Sequence, residues 1–213
     1  MDKIAIYGAG GFGREIACLI NTINQFERKW DFIGFYDDGL EIGFKNKYGS
    51  VLGGLDELNQ MNEKINILIA IASPIVLKRI SDSIYNPNIE FPNIIAPNVN
   101  LFDSETVKMG KGNLLFWGCR ISLDCEIGDF NIFNGLVSLG HDVKLGSFNV
   151  LNPSVRLAGN TEVGNCNFFG VQSVVLQGNK IGNDTRIGAN SVIMRKTQDG
   201  QLYIGNPAKK IVL

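Results

Sequence analysis

Residues 121–146 read ISLDCEIGDFNIFNGLVSLGHDVKLG, and this stretch shows the pattern that decides the fold. An apolar residue recurs at every sixth position, and the same spacing extends in both directions along the chain. The fifteen residues in this phase are Met109, Leu115, Ile121, Ile127, Phe133, Leu139, Leu145, Leu151, Leu157, Val163, Phe169, Val175, Ile181, Ile187 and Ile193. With 45% of the chain hydrophobic, roughly a few chances in a hundred thousand would produce this run at random. The period of six is therefore a structural repeat.

A period of six fits neither a helix nor an ordinary amphipathic strand. It fits a coil with three short strands per turn, in which each strand points one apolar residue toward the axis. Successive coils would pair strand on strand at about 4.8 Å and bury a continuous apolar column. The small residues Cys119 and Cys125 fall at the fifth position of their hexads and are predicted to lie in the core. The second half of the chain is therefore predicted to be a parallel β-helix.

The first half follows a different pattern, in which apolar strands alternate with helical segments. Strands are predicted at 3–7, 31–36 and 65–72, and helices at about 14–24, near Asp56 and at 74–85. This alternation is typical of a parallel sheet covered by helices. The segment IIAPNVNLF at 94–102 marks the junction. We therefore predict an α/β domain over residues 1–95 and a β-helix over residues 96–213.

Composition excludes several classes of protein. Twenty Lys and Arg residues stand against twenty-one Asp and Glu residues, for a net charge of −1, which argues against a nucleic-acid partner. No apolar run approaches the roughly 20 residues of a membrane helix, and the N-terminus does not resemble a signal peptide. The four cysteines lack C-x-x-C spacing and suit a reducing cytoplasm. With one histidine, no metal site is expected.

A glycine-rich turn follows the first predicted strand. Gly8, Gly10 and Gly13 satisfy G-x-G-x-x-G between a strand and a helix, the context for phosphate binding at a helix N-terminus. Asp37 closes the second strand, where a carboxylate can hold a ribose hydroxyl. The motif alone indicates NAD, but about 95 residues provide one mononucleotide unit and not two. A nucleotide-diphosphate sugar fits this half-site better than a dinucleotide.

The only histidine, His141, lies two positions after the inward-facing Leu139 and is predicted to point outward at a corner. An imidazole there can accept a proton from an attacking amine or hydroxyl. The alternatives are a core histidine and an incidental surface histidine. Gly159 follows eighteen residues later in the same phase, so it should lie directly over His141. It either exposes a backbone N–H to a reacting carbonyl or simply suits a tight corner.

The hexad repeat, together with KIAIYGAGGFGRE at 3–15 and IGNPAKKI at 204–211, resembles the left-handed β-helix nucleotide-sugar acyltransferases of bacterial glycan synthesis. This group includes UDP-aminosugar N-acetyltransferases of the bacillosamine pathway, perosamine N-acetyltransferases and sialic acid O-acetyltransferases. The resemblance implies a Rossmann-like N-terminal half and a left-handed β-helix. It also implies a homotrimer, acetyl-CoA as co-substrate and an amino sugar carried on a nucleotide diphosphate as acceptor.

The resemblance assigns roles to individual residues. His141 would be the general base, Asp142 the acidic residue that supports it, and the Gly159 amide the donor to the oxyanion. Predicted contacts to the nucleotide and the acceptor are Gly10, Gly11, Phe12, Asp37, Asp38, Ala72 and Asn134. Predicted contacts to acetyl-CoA are Val171, Ala189 and Val150, the last standing where another member has a histidine.

Four functions remain open from the sequence. The leading one is N-acetylation of an amino sugar, and the close alternative is O-acetylation of a sugar hydroxyl such as that of sialic acid. A nicotinamide-dependent reductase with a β-helical oligomerisation domain and a non-catalytic β-helix scaffold are the others. Arg195, Lys196, Lys209 and Lys210 are candidates for contacts to CoA phosphates, or else solvated surface cations.

Overall fold

The computed structural model describes residues 1–211. The chain divides into two compact units. One comprises Met1–Ala72 and Val76–Pro92, and the other comprises Ser73–Ile75 and the chain from Asn93 onward. The first is a small α/β unit and the second is a parallel β-solenoid, which confirms the predicted combination of an α/β part with a β-helix.

The first part of the chain forms five strands and three helices. Their bounds are β1 (Asp2–Tyr7), α1 (Gly11–Phe26), β2 (Trp30–Tyr36), β3 (Val51–Gly53), α2 (Leu55–Asn59), β4 (Ile65–Ile69), α3 (Pro74–Ser83) and β5 (Ile89–Glu90). The strands form one sheet in the order β3-β2-β1-β4-β5, and every neighbouring pair is parallel. The central strand β1 is the most buried, because Ile4, Ala5 and Ile6 are all fully enclosed.

Two differences from the predicted elements have simple causes. The strand predicted over 65–72 ends at Ile69, because its neighbour β1 ends at Tyr7, which is paired with Ile69. Residues 70–72 are left as a loop at the carboxyl end of the sheet. Strands β3 and β5 were not predicted, since three and two residues are too few to show a period.

The solenoid is built from short strands, of which all but the last two contain two residues. They are β6 (Ile94–Ile95), β7 (Asn100–Leu101), β8 (Lys108–Met109), β9 (Leu114–Leu115), β10 (Arg120–Ile121), β11 (Glu126–Ile127), β12 (Ile132–Phe133), β13 (Ser138–Leu139), β14 (Lys144–Leu145), β15 (Val150–Leu151), β16 (Arg156–Leu157), β17 (Glu162–Val163), β18 (Phe168–Phe169), β19 (Val174–Val175), β20 (Lys180–Ile181), β21 (Arg186–Ile187), β22 (Val192–Ile193), β23 (Leu202–Gly205) and β24 (Ala208–Ile211).

These strands form three sheets, one on each side of the solenoid. Sheet I has the order β22-β19-β16-β13-β10-β7, sheet II the order β20-β17-β14-β11-β8, and sheet III the order β24-β23-β21-β18-β15-β12-β9-β6. Residues eighteen apart pair in parallel, as Leu139 does with Leu157. The second residue of each two-residue strand from β9 to β22 lies in the continuous apolar core. This is the register that the hexad phase predicts.

The solenoid begins earlier than Met109, where the sequence pattern starts. Ile95 pairs with Leu115 and Leu101 with Ile121, so the first turn contains twenty residues instead of eighteen. The two additional residues lie between Leu101 and Met109, which are eight positions apart. The insertion shifts the phase, and the six-residue count therefore fails before Met109.

A column of buried polar side chains runs beside the apolar core. Asn113, Asn131, Asn149 and Asn167 are each fully buried. The side-chain oxygen of each accepts the backbone N–H of the residue one turn further on, at 2.8–3.0 Å. Because buried amides need partners, this ladder fixes the vertical stacking of the turns.

The corners of the solenoid share one backbone conformation. Eleven non-glycine residues at six- or twelve-residue spacing adopt φ between 53° and 65°, among them Asp142 at 57°.

The helices within residues 1–211 are all too short or too polar to span a lipid bilayer.

Candidate active site

His141 projects from a corner of the solenoid that follows sheet I. Strand β13 places Leu139 in the core, and the chain then turns through Gly140, so that the imidazole points outward and remains about half exposed. Its Nδ1 lies 2.7 Å from Oδ2 of Asp142. An ionised carboxylate only accepts hydrogen bonds, so this contact requires the proton on Nδ1. Nε2 of the neutral ring is then left with a lone pair for a substrate proton.

The contact between His141 and Asp142 depends on the corner conformation. With φ at 57°, Asp142 lies in the left-handed region, which Asp and Asn tolerate better than most residues. Its N–H donates to the carbonyl oxygen of Leu123 at 3.1 Å. The hydrogen bond to Leu123 therefore fixes the corner on the preceding turn. In this conformation the carboxylate of Asp142 lies beside the imidazole of His141.

Gly159 lies against the ring of His141 on the next turn. A Cβ atom at Gly159 would lie 2.6 Å from Nε2 and 2.7 Å from Cε1 of His141, closer than van der Waals contact permits. The two turns are tied by the N–H of Asn160, which donates to the carbonyl oxygen of His141 at 2.9 Å. Within residues 1–211 the Gly159 N–H has no acceptor. The site thus combines an open imidazole nitrogen with a neighbouring unpaired amide.

Gly140 belongs to the same site, although its sequence position gave no reason to select it. A Cβ atom there would lie 2.5 Å from the Gly159 nitrogen. Any side chain would therefore cover the amide that the site leaves open. The signal that would have found it is its register, since Gly140 lies one position before His141 and nineteen before Gly159.

The predicted acyl-donor contacts lie on another corner, which follows sheet III. Val171 and Ala189 follow strands β18 and β21, are both exposed, and line one groove of about 310 Å³. Asn134 follows β12 at the same corner and is half-buried. Val150 is fully buried in β15 and does not line this groove. A single copy therefore does not bring these residues together with His141, and their roles stay predictions.

The glycine-rich turn of the α/β unit is shaped by packing. Gly8 adopts φ +107°, and a Cβ atom at Gly13 would lie 1.9 Å from the carbonyl oxygen of Gly8. These two glycines allow α1 to start directly over the end of β1. Gly10 differs, because a Cβ atom there would meet no atom within 4 Å. Gly10 and Gly11 are exposed at the N-terminus of α1, whose first turn carries no acidic side chain.

Asp37 and Asp38 already hold the loops around this turn. Asp37 accepts the N–H groups of Ala9 and Gly39, both at 2.9 Å. Asp38 accepts the N–H of Leu55 at 2.7 Å and the hydroxyl of Tyr7. Burial, followed by the hydrogen bond to Asp38, raises the pKa of Tyr7 well above its ordinary range, so its hydroxyl remains a donor.

The remaining predicted nucleotide contacts lie around the same edge of the sheet. Phe12, in the first turn of α1, is half-buried, and Ala72 is exposed three residues beyond the end of β4. Contacts of all these residues with a nucleotide stay predictions. No group of three or more His, Cys, Asp or Glu side chains suited to a metal occurs in the described part of the chain.

Comparison with known proteins shows what the chain is similar to. Residues 3–84 match the PglD N-terminal domain family. A curated GDP-perosamine N-acetyltransferase of Escherichia coli O157:H7 is 28% identical over 142 residues, which cover 67% of this chain and 63% of that protein. A curated adenylosuccinate synthetase of Picrophilus torridus is 26% identical over 152 residues, covering 65% of this chain and 36% of that protein. The chain thus spans less than two thirds of both curated relatives.

Two solved structures match over nearly their whole length. The acetyltransferase domain of PglB from Neisseria gonorrhoeae FA1090, in complex with acetyl coenzyme A, has a TM-score of 0.87 and 26% identity, covering 98% of each chain. PerB from Caulobacter crescentus, in complex with CoA and GDP-perosamine, has a TM-score of 0.86 and 27% identity, covering 100% of this chain and 98% of that one. The chain is a homologue of these two proteins over both of its parts.

This homology confirms the resemblance predicted from the sequence. The similarity to PglB and PerB extends over both the α/β part and the β-solenoid of this chain. The relatives bind acetyl-CoA or CoA, in agreement with the predicted co-substrate. The roles of the individual site residues stay predictions.

Proposed function

We propose that the protein transfers an acetyl group from acetyl-CoA to the amino group of a sugar carried on a nucleotide diphosphate. The observation that carries this proposal is the arrangement of His141 between Asp142 and Gly159. A base with a free Nε2 lies beside an unpaired amide, which are the two groups that acyl transfer to an amine requires. The relatives that bind acetyl-CoA and GDP-perosamine support the same reaction.

In the proposed reaction the amine attacks the thioester carbonyl directly. Nε2 of His141 takes the proton that the amine loses as the new N–C bond forms. The Gly159 N–H donates a hydrogen bond to the carbonyl oxygen as it becomes negatively charged, a contact worth about 2.7–4 kcal/mol in other enzymes. Collapse of the intermediate breaks the C–S bond, and Nε2 of His141 passes the proton it took from the amine to the leaving sulfur, so that CoA departs as the thiol. Asp142 holds the imidazole in the required tautomer.

The α/β unit is proposed to bind the nucleotide, as a Rossmann-like half-domain over residues 1–95. The parallel order β3-β2-β1-β4-β5 supports this interpretation, because ligands of such sheets bind at the carboxyl ends of the strands. The exposed N-terminus of α1 at Gly10 and Gly11 suits a diphosphate. Residues 96–213 would form the acyltransferase domain, a β-helix that the resemblance makes left-handed.

A homotrimer is proposed as the active assembly. His141 follows sheet I, whereas Val171 and Ala189 follow sheet III, so one copy does not form a complete acyl-donor site. A neighbouring copy would bring its sheet III corner to His141, and three copies would close the ring. We place the protein in the cytoplasm, a reducing compartment that its free cysteines suit.

The proposal is tested by following thiol release from acetyl-CoA with a panel of acceptors. The panel contains UDP-, GDP- and dTDP-linked 4-amino sugars, with sialic acid as the hydroxyl acceptor. Release with one nucleotide-linked amino sugar, and an acetamide in the product by mass spectrometry, is the expected result. Release only with sialic acid would instead identify an O-acetyltransferase. No release from any acceptor, together with no binding of CoA in calorimetry, would contradict the proposal.

A further inference from the structure

A concavity at the C-terminal end of the solenoid is lined by three positively charged side chains. Its volume is about 430 Å³, and Arg195, Lys196 and Lys209 line it together with Tyr203 and apolar residues. No carboxylate lines it. Arg195 and Lys196 follow β22, and Lys209 comes from β24, so two separate elements contribute the charges to one site.

These three cations are not neutralised by the protein. Within residues 1–211, none of them forms an ion pair, whereas Lys108 and Lys180 pair with Glu126 and Glu162 on sheet II. Three like charges in one concavity repel each other in the free protein. An anion between them would remove that repulsion, and the planar guanidinium of Arg195 offers paired donors suited to phosphate oxygens.

The neighbouring Lys210 does not line the concavity, although it follows Lys209 directly in the sequence. Lys209 and Lys210 are consecutive in β24, so their side chains leave opposite faces of the strand. Lys209 lines the concavity, and Lys210 instead donates to Oε1 of Gln198 at 3.1 Å. The four cations of the sequence therefore divide into three that share a site and one that does not.

The concavity is aligned with His141 along the solenoid. Arg195 comes two residues after β22, and His141 two residues after β13, in the same sheet. Three strand-to-strand steps separate them, a rise of about 14 Å at 4.8 Å per step. The two sites therefore suit the two ends of one extended ligand that lies parallel to the solenoid axis.

We propose that Arg195, Lys196 and Lys209 bind the 3′-phosphate of acetyl-CoA while its thioester lies at His141. This inference rests on the proposed function and adds to it the residues that select the phosphorylated nucleotide end of the donor. The shared chemistry is a phosphate group, and inorganic phosphate is the other source of it. The two sources are separated by comparing CoA with 3′-dephospho-CoA, which differ only in that group.

Calorimetry with CoA, 3′-dephospho-CoA and inorganic phosphate tests the inference on the full-length wild type and on the double variant Arg195→Gln/Lys209→Gln. The wild type should bind CoA about ten-fold or more tightly than 3′-dephospho-CoA. The double variant should bind both ligands with the weaker affinity. Lys210→Gln, the matched control from the same strand, should retain the wild-type preference.

Equal affinity of the wild type for CoA and 3′-dephospho-CoA would overturn the inference, and this comparison requires no variant. Retention of the preference by the double variant would also overturn it. Binding of inorganic phosphate without any preference for CoA would assign the concavity to a free anion instead. If the protein transfers acetyl groups but binds CoA and 3′-dephospho-CoA equally, the inference fails and the proposed function stands. If the protein does not bind CoA at all, the inference and the proposed function both fail.

Discussion

His141 and Gly159 lie one turn of the solenoid apart, and the imidazole occupies the space that a side chain at Gly159 would need. A Cβ atom at Gly159 would lie only 2.6 Å from Nε2 of His141, which is closer than van der Waals contact permits. The same glycine carries the unpaired amide. One residue thus both admits the base and provides the donor to the oxyanion in the proposed reaction.

Gly159→Ala should abolish most of the activity without unfolding the protein. The added methyl group forces the His141 ring away from its position, so the effect should approach the loss of the base, about 10²-fold or more in kcat. The measurement is steady-state acetyl transfer, with circular dichroism to confirm the fold. Gly135→Ala is the control, because its Cβ atom would make an ordinary contact of 3.5 Å to the carbonyl oxygen of Trp117. Equal activities of the two variants would contradict the assignment.

Gly10→Ala should weaken binding of the nucleotide sugar while the α/β unit stays folded. The structure has open space at this position, and only an incoming diphosphate would meet the new methyl group. We expect the KM for the nucleotide sugar to rise about ten-fold, with the KM for acetyl-CoA unchanged. An unchanged KM for the sugar would argue against a diphosphate at this turn.

Gly13→Ala provides the contrast to Gly10→Ala. Its Cβ atom would lie 1.9 Å from the carbonyl oxygen of Gly8, so this variant should lose thermal stability even without ligand. Thermal unfolding of both variants in the absence of nucleotide therefore separates packing from binding.

Asn149→Ala should destabilise the solenoid. Oδ1 of Asn149 accepts the N–H of Asn167, and its Nδ2 donates to the carbonyl oxygen of Gly164, both at 3.0 Å. The variant leaves these buried groups without partners, which should lower the free energy of unfolding by about 3 kcal/mol. Urea denaturation measures the change. Asn165→Ala is the control, because the exposed Asn165 likewise accepts a backbone N–H, that of Ser147 at 2.7 Å. The expected loss is about 1 kcal/mol or less.

The buried thiols should be protected from alkylation near neutral pH. Burial raises the pKa of Cys119 to about 11, and burial likewise raises the pKa of Cys125. Since the thiolate is the reactive form, a raised pKa lowers reactivity at about pH 8. Iodoacetamide followed by peptide mass spectrometry should find Cys18, which is exposed, modified long before Cys119. Rapid labelling of Cys119 in the folded protein would show that the core opens readily.

The hexad phase alone predicted the solenoid and most of its register. It correctly placed Leu139 beneath Leu157, and from that pairing the stacking of His141 and Gly159 follows. It failed at the first turn, because two additional residues between Leu101 and Met109 change the phase without changing the fold. A repeat count detects only turns of constant length.

The contacts within the site were less accessible to sequence reasoning. Whether Asp142 reaches His141 depends on a corner φ of 57°, which the residue type permits but does not require. The partners of Asp38 include Leu55, seventeen positions away, and no local pattern indicates such a pairing. The sequence does not distinguish Gly140 from the other glycines of a glycine-rich chain, because its role depends on its contact with the Gly159 nitrogen.

The central claim is that His141 is the base of an acetyl transfer. The most direct test is the single-turnover rate of acetyl transfer from acetyl-CoA to the accepted nucleotide-linked amino sugar, for wild type and His141→Asn under identical conditions. We predict a loss of about 10²–10⁴-fold, with CoA affinity and thermal stability unchanged. A variant that transfers acetyl at nearly the wild-type rate would contradict the account.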